Sequence, residues 1–188
     1  MATAPAFVAR SSKGTGTHRV IRFGRLLSLA LWVGGLVFFA FVVAPVAFSR
    51  LPSAHEAGLI VGATLRVLHL LGLACGALFL LLTLVDLRRI GSRRIVTAEL
   101  VLDLVMLGVT AYLQFAILPA MEVARAAAGG DVALAAPADP ARVHFDRLHL
   151  LSEKLEGVVL LCGVGLLFAM AGEQGPTSST PVARIVKA

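Results

Sequence analysis

Leu26 to Phe48 is an uninterrupted run of 23 residues without a charged side chain. As a helix rising about 1.5 Å per residue it covers about 35 Å, enough to cross a hydrocarbon core of roughly 30 Å. Arg19, Arg22 and Arg25 precede it as a basic flank would. The run exceeds the roughly 7–15 apolar residues of a cleavable signal peptide, so it reads as an uncleaved anchor. The rest of the chain has the same character. Of its 188 residues 58% are hydrophobic and 15% charged, against about 45–50% apolar and about 25% charged in soluble domains. Mean hydropathy is +0.89. Disorder and an ordinary soluble domain are excluded, and the chain reads as a small multi-pass membrane protein whose solvent is the lipid bilayer.

Three further spans follow. The second ends at Val85, and counting back about 20 residues places its other edge near Arg66. Ser53 followed by Glu56 fits a capping box, so this helix should start outside the membrane. The third runs from Leu100 to Pro119, and the short Arg-rich turn at Gly91 and Ser92 makes it an antiparallel neighbour of the second. The fourth is Leu155 to Ala171, with Asp139 and Pro140 marking a helix start well upstream. Ala126 to Pro140 is rich in Ala, Gly and Pro and reads as the one flexible loop. No internal repeat stands out. The expected fold is all-α, a four-transmembrane-helix antiparallel bundle over residues 26–172. Residues 1–25 form a basic cytoplasmic segment and 173–188 a disordered cytoplasmic tail.

Basic residues set the expected orientation. Arg10, Lys13, Arg19, Arg22, Arg25, Arg88, Arg89, Arg93, Arg94, Arg184 and Lys187 lie on one side; Arg50, Arg125, Arg142, Arg147 and Lys154 lie on the other. Eleven against five, with Arg66 set aside as intramembrane, predicts both termini in the cytoplasm of a protein in the cell inner (plasma) membrane. The net charge of +6 comes from these flanks, so nucleic acid is not an expected partner. Cys75 and Cys162 fall inside apolar stretches and read as small packing residues.

The informative residues are those that do not belong in lipid. At 100° per residue, Gly58, Gly62, His69, Gly72, Gly76 and Thr83 share one face of the second helix, with Arg66 at its edge. Small residues at this spacing admit a neighbouring backbone, so His69 should point into the bundle. It is either a hydrogen-bonded buried imidazole or a ligand or proton carrier. Glu99, Asp103, Thr110, Gln114 and Met121 share a face of the third helix, and Arg residues of the turn could neutralise Asp103 in a structural ion pair. Asp146, His149, Ser152, Glu153 and Glu156 lie along the fourth. Counted depths bring Arg66, His69, Gln114, Met121, Glu122, His149, Ser152, Glu153 and Glu156 to the outer third of the membrane or its outer surface. Arg66 is expected to pair with Glu153 or Glu156, since an unpaired charge there costs at least about 2.5 kcal/mol. His69, His149 and Met121 are ligand types that suit copper, and two imidazoles could also hold haem iron. Set against that site is plain packing and ion pairing. No nucleophile arrangement, phosphate-binding loop or paired-carboxylate motif suggests an enzyme.

The stretch from Trp32 through Gly34 and Gly35 to Pro45, with Phe48, Ala57-Gly58 and the later Phe145, Leu148-His149 and Ser152, resembles an uncharacterised bacterial membrane family, domain of unknown function 4149, related to transmembrane protein 205. The resemblance implies a four-helix membrane protein. More distantly the pattern is similar to the copper-resistance D proteins and the membrane protoporphyrinogen oxidases, whose spans use histidines for metal or haem. The first span here carries no His where the haem-binding relatives have one. Independently, Gly34 and Gly35 allow close helix contact, and Pro45 frees a backbone carbonyl at the level of the polar cluster, either lining a cavity or redirecting the chain. Three functions are therefore carried forward. They are handling of a metal ion or small solute at an outer-leaflet polar site, a non-catalytic accessory or assembly subunit, and a haem-dependent membrane oxidoreductase. A homo-oligomer is compatible with each.

Overall fold

A computed structural model describes residues 13–90 and 93–172, and every regular element among them is helical. These are α1 (Lys13–Phe38), α2 (Ala44–Arg50), α3 (Ala54–Ile90), α4 (Arg93–Tyr112), α5 (Leu118–Ala127) and α6 (Pro140–Ala171). The five-residue π turns Phe39–Val43 and Leu113–Ile117 join α1 to α2 and α4 to α5. Four rods result, Gly16–Arg50, Ala54–Leu87, Val96–Ala127 and Pro140–Ala171, each long and apolar enough to cross a membrane. Only 22% to 33% of each apolar window is buried inside the protein, so most of the apolar surface is left for lipid. The protein is a multi-pass, all-α membrane protein. The proposed tail, 173–188, lies outside the described residues.

The start signals read from the sequence are in place. Ser53 Oγ accepts from the Glu56 amide at 3.1 Å, and Asp139 accepts from the amides of Ala141 at 2.7 Å and Arg142 at 3.3 Å. The loop between α5 and α6 is shorter than expected, because α5 continues to Ala127. It turns at Gly129 and Gly130, both with positive φ, which glycine adopts without a Cβ clash.

The rods close into a ring. α1 packs on α3, α3 on α4, α4 on α6, and α6 back on α1. At one end of the bundle α3 ends and α4 begins; the other, the loop end, carries the 51–53 and 128–139 connections. Trp32 anchors the centre, 2% exposed, with its indole seated against Gly72 and Gly76 of α3. A Cβ at either glycine would overlap the ring, which is why a small residue is needed there. Gly35 admits Leu68, and Gly163 of α6 admits Val33. Close packing does not extend along the whole predicted stripe. Gly58 and Gly62 have open space where a Cβ would stand, and Gly34 is exposed with nothing near it.

Pro45 has no amide hydrogen and its ring crowds the carbonyl one turn back. The helix responds by widening, and the Ala44 amide bonds to the Phe39 carbonyl. Pro119 has the same effect, with Leu118 bonding to Leu113. Both prolines follow their π turns at the same distance, and the two turns stand 74 residues apart. The same offset relates Arg25 to Glu99, Trp32 to Met106 and Ala47 to Met121, all buried. The first and third rods are thus built to one plan, marked by identical residues at a few positions such as Phe41/Phe115 and Pro45/Pro119.

Candidate functional site

A cleft of about 660 Å³ opens between the two hairpins at the loop end. Phe39, Ala40, Phe41 and Ala44 line it from the first π turn and the start of α2, with Phe48 beyond them. Between the two alternatives left for Pro45, lining a cavity is the one realised. Gly58 and Gly62 of α3 form part of another wall, and their missing side chains are part of the space. Met121 of α5 and Gly157 and Leu160 of α6 complete the apolar lining.

Polar groups enter this lining at two levels. At the mouth, Arg66 of α3 and Arg125 of α5 share the Glu122 carboxylate, at 3.5 and 3.4 Å. Arg125 also lies over the Phe145 ring at 5.5 Å, and Phe145 stacks on His149. His149 Nε2 is 3.2 Å from Glu153, one turn further along α6, and Ser152 donates to the His149 carbonyl at 2.8 Å. Arg142 donates to the Ala135 carbonyl at 2.6 Å. Deeper in, Glu156 is held by His69 Nε2. His69 is 1% exposed, its Nδ1 has no partner, and the second oxygen of Glu156 has none either.

The cleft therefore brings together Arg66, Met121, His149, Ser152, Glu153 and Glu156. Gln114 is left out: it sits at the edge of the buried stripe Leu113, Ile117, Met121, and its carbonyl oxygen is buried without a partner. The expected pairing of Arg66 with Glu153 or Glu156 is replaced by Arg66 with Glu122. Glu156 is taken by His69 and Glu153 by His149, while Arg66 faces α5 rather than α6. The two imidazoles do not meet. His69 contacts Glu156, which stands two turns, about 10 Å, from His149 along the α6 axis. Among the described residues, no group of three or more His, Cys, Asp or Glu side chains could hold a metal ion.

Against this geometry stands the comparison with known families. A family model described as Domain of unknown function (DUF4149) matches residues 27–129, more than half of the chain. The chain belongs to this family. The DUF4149 match takes in Trp32, its Gly72 and Gly76 seat, both prolines with their π turns, and His69. It ends before α6, which supplies His149, Ser152, Glu153 and Glu156. No curated protein and no solved structure matches this DUF4149 chain.

A second polar cluster lies toward the end of the bundle where α3 ends and α4 begins. Arg25, counted above as a flanking charge, is 1% exposed because α1 already begins at Lys13. Its guanidinium reaches Glu99 at 2.5 Å and Asp86 at 3.6 Å and lies over Phe79 at 5.1 Å, while His18 reaches Asp86 at 3.6 Å. Arg25 shares a helix face with Leu29, Trp32 and Leu36, a periodicity that would have placed it inside the bundle. Asp103, one turn from Glu99, is 1% exposed, and its Oδ2 has no hydrogen-bond partner. The turn arginines expected beside it have side chains outside the described residues. No side chain of this cluster lines the cleft, and its ion pairs tie α1 to α3 and α4.

Proposed function

We propose that the protein takes a small amphipathic solute into the loop-end cleft, which lies on the outer side of the plasma membrane if both termini are cytoplasmic. One observation carries this reading: a space of about 660 Å³ with largely apolar walls, on which charged and polar side chains also converge. That is the usual make-up of a small-molecule site, where volumes run from about 300 to 1,000 Å³. Each wall has a local cause, a proline-induced π turn on one side and two glycines on the other. Handling of a bare metal ion is supported less well, since each candidate imidazole is engaged by a carboxylate and they stand apart.

The test uses protein in lipid nanodiscs and a panel of small amphiphiles spanning positive, neutral and negative head groups. A ligand at about 100 times its dissociation constant stabilises the folded state by about 2.7 kcal/mol. At least one compound should raise the unfolding temperature of the natural protein and leave Gly62→Trp unmoved, because the added indole occupies the open space at that position. A panel in which every compound affects both proteins equally would contradict the reading.

A further inference from the structure

We propose that the occupant of the cleft is an organic cation, its charged group against Glu156 and its apolar body against the phenylalanine wall. This rests on the cleft being the binding site, and it adds the chemical class of the ligand.

The argument starts from His69. Its Nε2 meets Glu156, and its Nδ1 is buried with no partner. Were the ring an imidazolium, Nδ1 would carry a buried N–H donor with nothing to accept it, on a charged group in a membrane interior. A neutral ring with its proton on Nε2 leaves only a lone pair at Nδ1, the less costly orphan. A proton on Nε2 is donated to Glu156, and the contact orients that side chain. Glu156 lines the cleft with its side chain 20% exposed; its unpartnered oxygen is itself buried, and Gly157 and Leu160 beside it bring no positive charge.

The charged side chains of the lining leave a small excess of carboxylates. Five carboxylates line the cleft, Glu122, Asp131, Asp146, Glu153 and Glu156, against the three guanidinium groups of Arg66, Arg125 and Arg142. Two of those guanidiniums are held at the mouth by Glu122, and the third donates to a backbone carbonyl. Around the apolar body of a ligand stand Phe39, Phe41 and Phe48, whose ring faces also attract cations. A compact metal cation would leave these walls unfilled, and an anion would have to approach Glu156.

The closing experiment compares tetraphenylphosphonium with tetraphenylborate, two ions of like shape and opposite charge, by equilibrium dialysis against the protein in nanodiscs of zwitterionic lipid, with empty nanodiscs subtracted. The phosphonium should bind saturably at one per chain and the borate should not. Glu156→Gln should weaken phosphonium binding at least tenfold, and Gly62→Trp should abolish it. Equal binding of the two ions to the natural protein would overturn the proposal without needing any variant. So would phosphonium binding unchanged in a folded Glu156→Gln protein. If either ion binds and Gly62→Trp removes it, the cleft survives as the site even where its cation preference fails. If neither ion nor any amphiphile of the panel binds in a Gly62-dependent way, the cleft reading falls and the cation proposal with it.

Discussion

Arg25 and His69 face the same problem, a polar side chain 1% exposed inside a bundle surrounded by lipid, and each is engaged by a carboxylate from another helix. Removing one member of such a buried pair leaves the other charge uncompensated, a loss of roughly 3–5 kcal/mol. Arg25→Leu should therefore destabilise the protein by about that much, measured by thermal or denaturant unfolding in detergent. The double replacement Arg25→Met with Glu99→Met should recover much of the loss, because both desolvated charges go together. Single and double variants of equal stability would show that the pair contributes nothing. The glycine seat of Trp32 gives a second prediction of opposite chemistry. Gly72→Ala drives a methyl group into the indole and should destabilise by about 1–3 kcal/mol, as overpacking does. Gly34→Ala, at an exposed position with open space, should be neutral or slightly stabilising in the same assay.

At the scale of the helix, Pro45 shapes the cleft, since the residues it displaces into the π turn include Phe39, Ala40 and Phe41 of its wall. Pro45→Ala restores the missing amide and should let the turn relax toward an α-helix, weakening amphiphile binding while leaving unfolding temperature unchanged or raised. Unaltered binding in that variant would mean the wall is set by packing instead. Element starts were legible in the sequence because they depend on local chemistry: Ser53 and Asp139 cap the helices they were expected to cap. Convergence was legible in part: Arg66, Met121, His149 and Glu156 line one cleft, but at two depths. Facing was legible as well, since His69, Glu99, Asp103, Thr110 and Met121 are buried as their helix phases require, but the partner each polar side chain takes was not. Arg66 turned to Glu122 on α5, and His69 took the carboxylate that Arg66 was expected to claim. Rise per residue is fixed by the helix alone, whereas the choice among neighbours is fixed by how rods pack.

For the whole molecule, the 74-residue offset makes the first and third rods counterparts, and the ring of contacts α1–α3–α4–α6 then has approximate two-fold character about the bundle axis. Identity reveals it at only a few positions, such as Gly34 with Gly108 and Pro45 with Pro119, while buried counterparts such as Arg25 with Glu99 and Trp32 with Met106 differ chemically. Orientation in the membrane follows from the basic count alone, so it is a separate prediction. Single cysteines introduced at Ser12 and Thr177, in a protein with Cys75 and Cys162 replaced, should resist an impermeant thiol reagent applied to intact cells and react after permeabilisation. Labelling from outside would reverse the topology and put the cleft on the cytoplasmic side. The most direct measurement of the account is where a bound solute touches the chain. A photoreactive amphiphilic cation, cross-linked in nanodiscs and mapped by peptide mass spectrometry, should mark the cleft walls around Phe39 to Phe41, Gly58 to Arg66 and Glu153 to Leu160, and a large excess of tetraphenylphosphonium should suppress that labelling. Cross-links confined to outward-facing positions such as Leu81, Leu104 and Leu161, and insensitive to competitor, would contradict it.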